Sequence, residues 1–258
     1  MAPFRRGGRS APLAPSVIGS RAVLGPTEYS RVPVLDAWDE TPAFRGLRLL
    51  LPAPLAKEHG RPGQLVKVRA EGVGEGFYAL ASAPDPGSTA ELLVKRGGRV
   101  ADAIAASAFA GGTLAITRPF GNGFPIAEAE GRDLLLFAAG SAIAPIRALV
   151  QHVLAHRNRF GRVTLFYGQR RGAEFAYRSE LLEWERRGVR VVLCPSGEDE
   201  AWEGLRGRVQ EVARSLAFGG SPPADTVAFV AGMTAMVDDV RATLSGAGIP
   251  PARVHANF

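Results

Sequence analysis

Cysteine is nearly absent: Cys194 is the only one in 258 residues. A disulfide within the chain is therefore impossible, as are a cysteine-held iron–sulfur cluster and a cysteine zinc site. Lysine is scarce too, with Lys57, Lys67 and Lys95 alone, so arginine carries most of the formal charge of +6. Acid is scarce at the start, where residues 1–28 hold Arg5, Arg6, Arg9 and Arg21 against Glu28. The rest of the chain is close to balanced. No basic cluster there is interleaved with aromatics, which argues against nucleic acid as a partner. Long apolar runs are also missing. The longest, 134–146, is broken by Gly140 and Pro145, and it falls short of the ~18 residues a membrane span needs. Histidine is limited to His59, His152, His156 and His255. His152 and His156 have helical spacing, but no acidic residue between them completes a metal motif, and both read as solvated helix surface.

What is present is ordinary for a globular protein: 46% hydrophobic and 22% charged residues, enough for one large domain or two modest ones. Residues 1–28 have the composition of a disordered extension, or of an organellar transit peptide. A cytoplasmic location is expected in the first case and an organelle in the second. From Tyr29 to about Phe124 the texture is all-β. Short strand-like runs at 30–37, 44–51, 64–70, 77–83, 90–96 and 113–117 are separated by Pro, Gly and charged turns. They predict a six-stranded antiparallel β-barrel over 29–128, with one short helix near 100–109. A linker is expected near 127–131.

From Arg132 the period changes, and the domain 131–258 follows. Strands at 134–139, 163–167, 189–193 and 227–231 alternate with helices near 145–156, 178–187, 207–217 and 235–245, and a last strand closes the chain at 254–258. Alternation of this kind predicts a five-stranded parallel sheet with crossover helices. Its first unit, RDLLLFAAGSAIAPIRALVQHVL at 132–154, reads as a buried strand, a small-residue turn and a helix that accepts Pro145 in its first turn. Ile146, Leu149, Val150, Val153 and Leu154 form one apolar face, with Arg147, Gln151 and His152 expected to turn away from it. A turn of this sort presents N–H groups and a helix dipole to a phosphate.

Several segments together resemble the ferredoxin–NADP reductase superfamily over roughly 29–258. FYALASAP at 77–84 resembles its flavin stretch R-x-Y-S-x-A-S. LVKR at 93–96 followed by GRVA at 98–101 resembles the second flavin segment. GSAIAP at 140–145 resembles the nicotinamide-nucleotide turn G-T-G-x-A-P. YGQR at 167–170 and AGMTAM at 231–236 resemble Y-G-x-R and C-G-x-x-x-M, and the chain ends on an aromatic residue, Phe258. The terminal Asn257-Phe258 and the GNGF run at 121–124 look most like an FAD/NAD(P)-binding branch of plants, algae and bacteria.

The resemblance implies FAD and either NADPH or NADH as cofactors. Tyr78, Ala79, Leu80, Ala81, Val94, Lys95, Gly98, Arg99, Val100 and Ala101 would then hold FAD. Gly140, Ser141, Ala142, Pro145, Gln169, Arg170, Ser196, Arg208, Gly232 and Met233 would hold the nicotinamide nucleotide. Tyr78 would pack on the flavin, and 98–101 would offer helix N-terminal N–H groups to its pyrophosphate. Phe258 would stack where nicotinamide enters, as a displaceable lid. With Ala79, at the position that touches flavin N5, it marks the expected reaction centre.

Departures from the pattern are specific. The family's arginine before the tyrosine is Gly76, and Arg99 is the expected substitute for its charge. Ala79, Ala231 and Ala256 replace a serine, a cysteine and a glutamate near the reaction centre, which removes hydrogen-bonding and proton-relay groups. Ala142 replaces the second glycine of the nucleotide turn. Of the residues that hold a 2′-phosphate in NADP-specific relatives, Ser196 is kept, while Gly197 and Arg208 replace an arginine and a tyrosine; Arg170, Arg171 and Arg206 are further charge partners. The expected function is an FAD-dependent NAD(P)H oxidoreductase delivering electrons to a protein, a quinone or a small molecule. The alternatives are a flavin- or nucleotide-binding regulatory module impaired in catalysis, and a reductase that uses free flavin as substrate. Oligomeric state is left open.

Overall fold

A computed structural model describes residues 25–257. The arginine-rich stretch 1–24 and Phe258 lie outside the described residues. The first sheet is built from β1 (Tyr29–Thr41), β2 (Phe44–Leu50), β3 (Leu65–Ala70), β4 (Gly74–Ala79), β5 (Thr89–Lys95) and β6 (Thr113–Thr117). All its pairs are antiparallel, in the order β4-β3-β6-β1-β2-β5. Alternation sets its inner face: Val32 and Val34 on β1, and Leu47 and Leu49 on β2, are buried while their neighbours Arg31, Pro33 and Arg48 are exposed. Val66, Val68, Leu92, Val94 and Ile116 complete this core, and α2 (Arg99–Ser107) drives Ile104 into it.

The sheet curls until its ends meet only at one point. Beyond β4, Leu80 bridges Leu92 and the Ala81 N–H donates to the Glu91 carbonyl oxygen at 2.7 Å. The result is a half-barrel rather than a fully laddered cylinder. The strand expected at 77–83 is accordingly shifted, because the chain past Ala79 leaves β3 to reach β5. A short helix, α1 (Ala53–Glu58), was not foreseen; Pro54 stands in its first turn, where a missing N–H costs no hydrogen bond.

The second sheet holds β7 (Asp133–Ala139), β8 (Val163–Gln169), β9 (Val189–Pro195), β10 (Thr226–Ala231) and β11 (Val254–Ala256), all parallel in the order β11-β10-β7-β8-β9. Helices α3 (Ile143–Ala155), α4 (Arg178–Arg186), α5 (Val209–Ser215) and α6 (Thr234–Gly246) make the crossovers. Every residue of β8 and β10 is buried, in keeping with their largely apolar sequences, which only Thr164, Gln169 and Thr226 interrupt.

Two expectations are corrected. The expected linker is instead a short 3-10 turn, Ile126–Ala129, with Ala129 fully buried and Ile126 packed on the core of the second domain. Nor do Arg147 and Gln151 face water: ten of the thirteen residues of α3 are buried, Arg147 among them. Helix α3 lies between the second sheet and the half-barrel, and only Ala155 is exposed along it, with Gln151 and His152 half-buried. Phe44, Ala81 and Leu93 from the half-barrel belong to the same apolar cluster as Leu134, Ile146 and Phe229.

Candidate functional site

Strand β7 runs to β8 on one side and β10 lies on its other side, so the sheet reverses its winding between β7 and β10. Crossovers leave this point in opposite directions, and their loops part at the carboxyl ends of the strands. A cleft of about 420 Å³ opens there. Ala139, Ser141, Ala142, Ala144 and Pro145 line it after β7, and Gly232 and Met233 after β10. The half-barrel supplies the opposite wall from Leu65, Phe77, Tyr78, Ala79, Leu93, Lys95 and Ala101.

The local conformations follow from residue type. Gly140 has φ +60, a left-handed value open to glycine, and an added Cβ there would meet nothing within 4 Å. Gly140–Ala142 forms one 3-10 turn and α3 begins at Ile143, so Pro145 still falls in its first turn. Ala142 has φ −68, so alanine sits there unstrained. On the other wall, Tyr78 is half-buried and leans over Gly76, whose added Cβ would come 3.0 Å from the Tyr78 ring. Tyr78 thus fills the space beside Gly76. Burial, with the Asp102 carboxylate adding to it, holds the Tyr78 phenol above its usual pKa. Helix α2 starts at Gly98 without a side-chain cap, and Gly97 and Gly98 both front open space. Arg99 is exposed beside them.

The cleft therefore brings together Tyr78, Ala79, Lys95, Ala101, Ser141, Ala142, Pro145, Gly232 and Met233 from the expected set. Gly98, Arg99 and Val100 stand at the start of α2, and Gly140 in the turn, next to cleft-lining neighbours. Leu80 and Val94 point into the half-barrel core, and Ala81 packs between the domains. Gln169 is buried, its amide donating to the Tyr167 hydroxyl at 2.7 Å. Arg170, Ser196 and Arg208 are exposed past the ends of β8 and β9. There the Gly197 N–H donates to the Arg170 carbonyl oxygen, and a Cβ on Gly197 would come 2.8 Å from that oxygen. Ala231 is fully buried and shows the cleft no side chain. Phe258 lies outside the described residues. Phe77, Leu65, Leu93, Ala139 and Ala144 line the cleft without having been singled out; adjacency to Tyr78 was the available signal for Phe77.

These walls suit FAD and a dinucleotide. Open space in front of Gly98 and Gly140 leaves room for a pyrophosphate beside two helix starts, although the Gly97 N–H is already taken by the Asp102 carboxylate at 2.8 Å. No metal-ligating cluster of three or more His, Cys, Asp or Glu occurs among the described residues. Burial pushes the Cys194 thiol up to about 12, so it is no nucleophile.

A half-barrel and a parallel sheet that share a cleft at the sheet's switch point define a two-domain nucleotide-dependent reductase architecture. Residues 136–242 match the family model described as an oxidoreductase NAD-binding domain. The gamma subunit of sulfhydrogenase 1 from Pyrococcus furiosus is 30% identical over 235 residues, spanning 89% of this chain and 79% of the relative. The ferredoxin reductase component of 3-ketosteroid-9-alpha-monooxygenase from Rhodococcus rhodochrous is 28% identical, over 92% of this chain and 65% of its own length. A solved ferredoxin NADP+ reductase from Neisseria gonorrhoeae, with bound FAD and NADP, has the same fold at TM-score 0.73 and 21% identity, covering 89% of this chain and 99% of that one. An Amycolatopsis cytochrome P450 reductase aligns at TM-score 0.76 and 24% identity, over 89% of this chain and 69% of that one. This chain belongs to the ferredoxin–NADP reductase-like oxidoreductase superfamily. FAD and a nicotinamide nucleotide are the cofactors that go with it.

Proposed function

We propose that this chain is an FAD-dependent NAD(P)H oxidoreductase that moves hydride between nicotinamide and flavin and delivers electrons to an acceptor outside itself. The observation that carries this function is the cleft, where Phe77, Tyr78 and Ala79 face Ser141, Pro145 and Gly232 across the switch point. FAD supplies the two-electron chemistry when bound; the side chains bind, orient and shield. Tyr78 covers the ring system, the start of α2 with Arg99 receives its pyrophosphate, and the turn at 140–142 receives that of the dinucleotide. Ala79 brings only a methyl group to the reaction centre, so rate enhancement there rests on alignment rather than on a proton relay. Phe258 is the lid in this scheme.

The acceptor is a protein. The relatives named above support this, being a subunit of a sulfhydrogenase and a component of a monooxygenase system. Kinship with the branch of plants, algae and bacteria rests on the GNGF run at 121–124 and the terminal Asn257-Phe258. One observation favours a second function, reduction of free flavin: residue 76, two before Tyr78, is glycine and offers no side chain to anchor bound FAD.

Purification decides between them. A yellow protein bleached by NADH or NADPH without oxygen is the expected result. A colourless protein that reduces added FMN or FAD supports the second function, and a bound flavin that neither nucleotide reduces marks an impaired binding module. Absence of any flavin or nucleotide binding overturns the proposal.

A further inference from the structure

Helix α3 carries the nucleotide turn at its start and touches the half-barrel along its side. Arg147, two residues past Pro145, is only 6% exposed. Its Nη1 donates to the Ala81 carbonyl oxygen at 2.8 Å and lies 2.7 Å from Glu91 Oε2. Its Nε donates to Glu180 of α4 at 2.9 Å, and its guanidinium sits over the Tyr177 ring at 4.7 Å. One helical turn further, Gln151 Oε1 accepts the Ala83 N–H at 2.9 Å.

The spacings agree. Four residues of helix advance about 6 Å, and the two residues from Ala81 to Ala83 span at most about 7 Å. Arg147 and Gln151 therefore read one carbonyl and one N–H of the same short segment. That segment continues directly from Tyr78 and Ala79, which line the flavin-side wall. No flexible joint separates either end of this contact from the cleft: Pro145 and Arg147 share a helical turn, and Ala79 and Ala81 are two residues apart.

We propose that Arg147 and Gln151 are positioning residues, clamping the helix that carries the nucleotide turn to the chain that leaves the flavin strand. They fix the separation of the two halves of the cleft, and with it the approach of nicotinamide to flavin. This inference rests on the function proposed above. Alignment is the term left to a reaction centre that has lost its polar relay, and a misplacement of about 1 Å costs roughly a hundredfold in rate.

Removing the Arg147 charge outright would leave Glu180 without its partner and Glu91 with Arg48 alone, and risks misfolding. Milder changes test the clamp on the full-length, FAD-loaded chain: Gln151→Met, which loses the acceptor, Gln151→Glu, which keeps one, and Arg147→Lys. The measurement is the limiting rate of anaerobic flavin reduction at saturating NADH or NADPH, followed with the flavin–nicotinamide charge-transfer absorbance. In Gln151→Met and Arg147→Lys the limiting rate is expected to fall at least about tenfold with a weakened charge-transfer band, while Gln151→Glu stays within about threefold of the parent. Nucleotide affinity should change much less than the rate. Variants that melt earlier or hold less FAD, yet whose flavin-loaded fraction is reduced at the parent rate, would make the contact merely structural and overturn the inference. If the parent chain itself takes up no FAD or is not bleached, the proposed function fails first and the clamp falls with it.

Discussion

At the scale of single residues, burial decides more than identity. His59 is buried in the half-barrel, and desolvation lowers its pKa from 6.5 to about 4. The folded state therefore favours neutral imidazole, and the stability it contributes is complete above about pH 6.5 and lost as the pH falls toward 4. Unfolding free energies from urea titrations at pH 7.5 and pH 5 should differ by on the order of 2 kcal/mol, and His59→Gln should remove most of that slope. An unchanged slope in the variant would assign the acid sensitivity elsewhere. Tyr78 is a residue whose place was legible in the sequence, since its motif named it and it does line the cleft. Tyr78→Ala should weaken FAD binding about fivefold, given about 1 kcal/mol for an aromatic stack. Fluorescence titration of the apo-protein reads this, and unchanged affinity would remove Tyr78 from the flavin site. Arg147 was not legible. A charged side chain on an apolar helix looks like its solvent face until the half-barrel is in place to cover it.

Secondary-structure elements were easier to read than their ends. Strands β7 through β11 and the helices between them match the expected positions within a few residues because buried parallel strands are strongly apolar. The half-barrel was harder. Glycines 74 and 76 hid the first half of β4, and closure through Leu80 and Ala81 depends on a partner far along the chain. The start of α2 carries no side-chain cap at Gly98, and under the proposed function its N–H groups and Arg99 would receive the flavin pyrophosphate, with the Asp102 carboxylate held close by on the Gly97 N–H. Arg99→Ala should raise the FAD dissociation constant severalfold, by roughly 1 kcal/mol, with an effect that shrinks in high salt. Retention of FAD through dialysis by the variant, unchanged from the parent, would rule out that assignment. In the nucleotide turn, Gly140→Ala places a Cβ at φ +60, which costs roughly 1–2 kcal/mol. Weaker nucleotide binding with unchanged FAD content is the expected outcome.

At the scale of the molecule, the two domains share one apolar core. Phe44, Ala81 and Leu93 pack with Leu134, Ile146 and Phe229, and Phe124 meets Phe229 edge-on with ring centroids 5.4 Å apart. The Tyr177 N–H donates to Glu40 Oε1 at 2.6 Å, adding a polar tie from β1 to the start of α4. Because these contacts are internal to both halves, unfolding should be a single transition: Trp38 reports on the half-barrel and Trp184 and Trp202 on the α/β domain. Separate midpoints for the two sets of tryptophans would show that the halves fold independently. The shared core also means that the cleft between the domains is held by packing rather than by a hinge.

The central claim is that this cleft joins a flavin to a nicotinamide nucleotide for hydride transfer. Rapid mixing of the FAD-loaded protein with NADH, and separately with NADPH, under anaerobic conditions tests it most directly. The account predicts that at least one nucleotide bleaches the flavin at a rate that saturates with concentration. A bound flavin that stays oxidised in the presence of both would contradict it.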